Sequence, residues 1–263
     1  MRVWRAAPPL TPTLSRTRER EFWPRCSESI SCLAGPAKCG GATDVSRGWF
    51  VTGTDTGVGK TLASCALLHA LRAAHPRCIG MKPVAAGTDT QGHNEDVLAL
   101  RAASNVAVPA TLDNPVLLAE PLSPHIAAAR AGRSIEIKAI VRAYGELASQ
   151  ADAVVVEGAG GFLVPLSPNE TGADLAAALG LPVILVVGLR LGCLNHALLT
   201  RDAIQARGLR LAGWIANRID PTMAEQEANL AYLREQLGAP LLADWPWQPG
   251  AETRGLRLLQ LPD

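Results

Sequence analysis

At 263 residues, 48% of them hydrophobic, the chain is long enough to bury a full core as one large domain. Its net charge of +1 averages two unlike stretches: residues 1–47 hold eight basic side chains against four acidic ones, and residues 48–263 hold 17 against 20. The body therefore offers no basic field to nucleic acid, no apolar run reaches the length of a membrane span, and six scattered cysteines without a Cys-x-x-Cys pair fit reduced thiols in a cytoplasmic protein better than disulfides or zinc.

Residues 1–47 combine Ala7-Pro8-Pro9-Leu10 with Arg16-Thr17-Arg18-Glu19-Arg20-Glu21. They have neither helix nor strand period and lack the apolar centre of a secretory signal, so they read as a disordered leader, or as an extension upstream of a translation start near Val45. The apolar Trp49-Phe50-Val51 predicts a first strand, followed by Gly53-Thr54-Asp55-Thr56-Gly57-Val58-Gly59-Lys60-Thr61 and a helix over Leu62 to Ala74. A glycine-rich loop between strand and helix is a phosphate cradle: backbone N–H groups close on phosphate oxygens, Lys60 supplies positive charge, and the Thr61 hydroxyl suits Mg2+. Counted from Gly53, the loop is one residue longer than the standard G-x-x-x-x-G-K-T.

Periodicity then predicts a strand at Cys78 to Pro83 and helices over Asn94 to Ala103, Ser123 to Ala131 and Ser134 to Ser149, the last capped by Ser134 with Glu136 in its first turn. Ala153-Val154-Val155-Val156 is a continuous β-branched run, as a strand buried on both faces requires. Further strands are predicted at Pro182 to Val187, Leu211 to Ala216 and Pro240 to Ala243, with helices near Thr171 to Leu179, Cys193 to Arg207 and Met223 to Leu237. The alternation implies an α/β fold: a single P-loop-type domain over 48–263 with a doubly wound, mostly parallel sheet flanked by helices.

Such sheets bind ligands beyond the carboxyl ends of their strands, so the residues closing each strand are the candidates. Glu157 closes an apolar strand where a carboxylate can hold Mg2+ or its waters, and Gly158-Ala159-Gly160-Gly161 lets a substrate approach backbone N–H groups closely. Lys82 is either a second cation for a transferring phosphoryl group or a solvated strand-end lysine. By position alone Asp96 reads as an acid complementing a helix dipole. Asn217-Arg218-Ile219-Asp220 is similar to the Asn-Lys-x-Asp base reader of GTP-binding proteins, with Arg in place of Lys. Cys193 has no neighbouring base and reads as a small helix-start residue.

Together these positions resemble the ATP-dependent dethiobiotin synthetase family. The resemblance runs through Phe50 to Thr61, Lys82-Pro83-Val84-Ala85, Glu120-Pro121-Leu122-Ser123-Pro124-His125, Val156 to Gly161, Leu191-Gly192-Cys193-Leu194-Asn195-His196 and Ala212 to Asn217. It implies a cytoplasmic enzyme of biotin synthesis that takes 7,8-diaminononanoate, CO2 or bicarbonate and ATP with Mg2+. By the same resemblance Lys60, Lys82 and Thr56 are catalytic, and Asp55 to Thr61 (Asp55, Thr56, Gly57, Val58, Gly59, Lys60, Thr61) hold the nucleotide with Asn217, Pro246 and Trp247 near its base. The resemblance also implies that Thr61, Asp96 and Glu157 hold Mg2+ and that Thr56, Lys82, Gly158, Ala159, Gly160 and Gly161 meet the diamine. By resemblance, Gly192, Cys193, Leu194 and Asn195 correspond to the helix N-terminus that binds the substrate carboxylate of the neighbouring subunit, in a homodimer with shared sites. Two departures stand out: Gly57 where some members carry Glu, and Ala86 where a Ser hydroxyl is common. A cobyrinate-type amidoligase would need a glutaminase domain, and partner-moving ATPases often carry a lysine where this chain has Asp55.

Overall fold

The computed structural model describes residues 47–248 and 257–262. The expectations for a leader and for a start near Val45 lie outside the described residues.

Six strands form one parallel sheet: β1 (Arg47–Gly53), β2 (Cys78–Met81), β5 (Ala153–Glu157), β6 (Val183–Gly188), β7 (Leu211–Asn217) and β8 (Leu241–Trp245), in spatial order β2-β5-β1-β6-β7-β8. β1 is thus central, with Phe50 opposite Val156 on one side and Val183 on the other. Because all pairings are parallel, every strand ends on the same edge, and the loops after β1, β2, β5 and β7 converge there. Two three-residue strands, β3 (Val84–Ala86) and β4 (Val116–Leu118), pair in parallel as a separate small sheet beyond the end of β2.

The strands alternate their side chains between two cores. Phe50, Val154 and Val156 meet Ile140 and Leu147 of α5 (Ile137–Ala148) and Ala176 of α6 (Gly172–Leu179). Trp49, Val51 and Val155 meet Leu67 and Leu68 of α1 (Lys60–Leu71) and Leu100 of α2 (Glu95–Ala103). Helices on both faces explain why the central strands read as unbroken apolar runs. A third cluster seats α7 (Cys193–Ala206) and α8 (Gln226–Gln236) on Leu185, Val187 and Trp214.

Several boundaries differ from the sequence expectation. α1 begins at Lys60, so the phosphate loop runs into the helix without a spacer. α5 begins at Ile137, with Glu136 rather than Ser134 in the capping position, because Ile135 and Ile137 are both drawn into the core. α8 begins at Gln226, since Glu225 takes a left-handed backbone (φ 56°) that interrupts the helix expected from Met223. The short α3 (Ala110–Asp113) has no counterpart among the predicted helices, and α4 (Pro124–Arg130) starts with proline in its first turn behind Ser123. No helix among the described residues is long and apolar enough to cross a membrane.

Candidate active site

The loop after β1 folds over the start of α1. Gly59 adopts φ 93°, and a side chain there would fall on the Asn217 amide, which itself donates to the Val58 carbonyl at 2.9 Å. The end of β7 therefore buttresses the loop, and only glycine fits the contact. Lys60 turns back beneath the loop, its Nζ donating to the Asp55 carbonyl at 2.9 Å. Asp55 also accepts from the Thr56 N–H at 2.7 Å and pairs with Arg190, a residue of the loop after β6 that no sequence motif singles out.

Four further predicted residues meet under this loop. The Thr61 hydroxyl lies 2.7 Å from Asp96 Oδ1 and 2.9 Å from Glu157 Oε1, two acceptors for one proton. Lys82 Nζ lies 2.5 Å from Glu157 Oε1 and 2.8 Å from Asp96 Oδ2. Lys82 is 4% exposed and Glu157 fully buried, so the solvated-lysine alternative does not hold. Asp96, in the first turn of α2, belongs to the cluster rather than merely complementing the helix dipole.

The electrostatics follow from this packing. Burial lowers the Lys60 ammonium to about 8, and the neighbouring Lys82 charge adds to that, against the pull of Glu157, Asp96 and Asp55. Burial also opposes the Lys82 charge, but the two carboxylates outweigh it and the ammonium is raised above its usual range. Burial works against the Asp96 charge as well; Lys82, then Thr61 and Lys60, overcome it and hold the carboxyl below the usual range. Burial pushes the Cys193 thiol up, in keeping with a helix-start residue and not a nucleophile.

The donor set fits a magnesium ion bound together with phosphates. It offers a hydroxyl and two carboxylates, all oxygen, and Glu157 Oε2 is buried without a hydrogen-bond partner among the described residues. Two carboxylates are too few for an all-protein cage, which is the usual condition of Mg2+ that keeps water and phosphate ligands.

The other predicted residues are not part of this cluster. Thr56 is exposed at the loop tip, its hydroxyl close to Gly160 across the crevice, while Gly158 donates its N–H to the Val51 carbonyl at 2.9 Å. A cavity of about 260 Å³ opens beside Gly57, Gly59 and Asn217 and is closed by Arg218, Pro246 and Trp247. Its wall is stiffened by Arg218, held bidentately by Asp244 at 2.9 and 2.8 Å. Gly192 and Asn195 lie exposed at the start of α7, with Cys193 buried beneath them. Beside α7 a mainly apolar cavity of about 290 Å³ runs between Phe162-Leu163-Val164 and His196, Leu199 and Ala203.

A family model described as an AAA domain matches residues 47–254. Among curated proteins, the "ATP-dependent dethiobiotin synthetase BioD" of Nitrosospira multiformis is 53% identical over 213 residues, covering 81% of this chain and 94% of its own. The protein of the same name from Ralstonia nicotianae is 58% identical over 208 residues, covering 78% and 91%. Among solved structures, the GDP complex of the signal recognition particle receptor FtsY of Elizabethkingia anophelis aligns with TM-score 0.51 at 15% identity, over 85% of this chain and 63% of its own. The MinC:MinD cell division complex of Aquifex aeolicus aligns with TM-score 0.50 at 16% identity, over 78% and 82%. At such identities these two establish the P-loop-type fold alone.

Proposed function

We infer the reaction from the premise that this chain belongs to the ATP-dependent dethiobiotin synthetase family, whose relatives match it over most of their length. It is an ATP-dependent ligase of biotin biosynthesis. In the reading we favour, one amine of 7,8-diaminononanoate adds CO2 and loses a proton to give a carbamate. A carbamate oxygen attacks the γ-phosphorus of ATP, releasing ADP and leaving a carbamic-phosphoric anhydride. The second amine then attacks its carbonyl carbon, expels inorganic phosphate, loses a proton and closes the cyclic urea.

The observation that carries this reading is the cluster of the buried Lys82 and Glu157 with the half-buried Asp96 and Thr61 at the root of the phosphate loop. The chemistry needs no protein nucleophile, and the crevice supplies charge and position instead. Lys60 and the loop N–H groups would bind the terminal phosphates, and Lys82 would stabilise charge on the carbamate and the transferring group. Thr61, Asp96 and Glu157 would hold Mg2+, which when bound neutralises phosphate charge. Thr56 and the Gly158 to Gly161 backbone would orient the diamine, and the cavity closed by Asn217, Pro246 and Trp247 would take adenine.

A homodimer is part of the same reading. Leu199 (60% exposed) and Leu163 (54%) line the apolar cavity beside α7, and Leu191 (92%) is exposed two residues before that helix begins. Burying that face against a second copy would bring the Gly192 to Asn195 helix start to the neighbour's substrate carboxylate. The test is a product assay: purified protein with 7,8-diaminononanoate, 13C-bicarbonate and MgATP should yield dethiobiotin carrying the label at the ureido carbon. No labelled product, together with robust GTP hydrolysis that the diamine does not stimulate, would replace the ligase by a nucleotide-driven switch.

A further inference from the structure

Asp96 and Lys82 meet head to head at 2.8 Å, although one sits on a helix and the other follows a strand. Their backbones are also tied together, by a residue to which neither the sequence motifs nor the reaction assigns a role. Asn94 uses both ends of its amide: Oδ1 accepts from the Val97 N–H at 3.2 Å, capping α2, and Nδ2 donates to the Gly87 carbonyl at 2.7 Å. Gly87 ends the segment that starts at Lys82 and passes through β3. It is held in turn, donating its N–H to the Leu118 carbonyl at 3.0 Å and lying with φ 92° against Pro121, where an added Cβ would approach the proline ring to 3.1 Å. The Glu120-Pro121 stretch therefore backs the turn onto which Asn94 fastens the helix.

We propose that Asn94 is a positioning residue that sets the Asp96 carboxylate against Thr61 and Lys82 by tethering the first turn of α2 to Gly87. Its consequence for catalysis rests on the reading of Asp96 as a magnesium ligand. A cap alone fixes where a helix begins; the tether also fixes where that first turn lies relative to Lys82. Partners that orient a metal-holding carboxylate typically matter by about 10- to 100-fold in metal affinity.

Asn94→Ser and Asn94→Asp separate the two bonds. Both retain an oxygen that caps α2, but serine is too short to reach Gly87 and aspartate sets an acceptor against an acceptor. The expected result is a magnesium concentration for half-maximal activity raised roughly tenfold or more in both variants, with the KM for the diamine little changed. Calorimetric affinity for MgADP should fall while that for ADP without metal holds, and amide exchange at Val97 should stay protected, as an intact cap requires. On an Asp96→Asn background, Asn94→Asp should add little, because the residue acts through that carboxylate. Wild-type magnesium dependence in Asn94→Ser and Asn94→Asp, beside a strongly impaired Asp96→Asn, would overturn this inference alone. A magnesium-indifferent Asp96→Asn would overturn the ligand reading and the inference with it.

Discussion

Nucleotide binding above neutral pH should take up a proton, and Lys60 should be its acceptor. The residue is 7% exposed and shares its crevice with Lys82, which together place its ammonium at about 8 instead of the ordinary 10.5. Phosphate oxygens favour the charged form, so binding restores the proton wherever the free protein has lost it. At pH 8.5 the free protein holds roughly a quarter of a proton on Lys60 and the complex about one, an uptake of roughly three-quarters per site. Titrating ADP in two buffers of different ionisation enthalpy measures it directly; the nucleotide's own phosphates are already fully ionised at that pH. Lys60→Arg, whose charge does not titrate, should abolish the uptake. An uptake near zero in the unaltered protein, or an undiminished one in the arginine variant, would refute the assignment. The sign for stability is opposite to that for binding. Between about 8 and 10.5 the unfolded chain holds more protons, so the protein alone should gain up to ~3 kcal/mol as pH rises through that window, readable in urea melts.

Lys82→Met should cost about 3–5 kcal/mol in urea unfolding, since it leaves the fully buried Glu157 carboxylate without its cation, and adding Glu157→Gln should return much of the loss. Equal instability of single and double variants would contradict that account. Gly59→Ala should weaken ATP binding at least roughly tenfold and cost ~1–2 kcal/mol, because it combines a left-handed backbone with a collision at Asn217; isothermal calorimetry and thermal melts read the two effects separately. Leu199→Glu should yield a monomer in sedimentation velocity if the apolar face beside α7 pairs two copies; an unchanged dimer would place the interface elsewhere.

The strands at 153–157 and 183–188 are legible because burial on both faces demands unbroken apolar runs, a pattern few other elements share. The same regularity makes Lys60, Thr61, Lys82 and Glu157 findable: each closes or follows a parallel strand, and all such ends face one way. β3 and β4 are illegible because three residues carry no period, and their partnership joins segments about thirty residues apart. Asp96 is ambiguous in sequence because an acid in a helix's first turn is favourable with or without a partner; only the placement of α2 decides between them. Arg190 and the tethering amide of Asn94 act through contacts that the sequence does not encode locally, although an Asn followed by two acids is itself a helix-start signal.

The crevice under the phosphate loop balances two ammonium groups, Lys60 and Lys82, against two carboxylates, Asp96 and Glu157. That parity constrains how the site can change over generations. Replacing Lys82 or Glu157, both buried, by a neutral residue leaves the other's charge unpaired in a water-poor space, so single steps at this pair are penalised whichever member goes first. Viable drift at these positions has to proceed through compensated pairs, and redesign toward a different phosphoryl acceptor is better begun from double substitutions than from saturation of one position at a time.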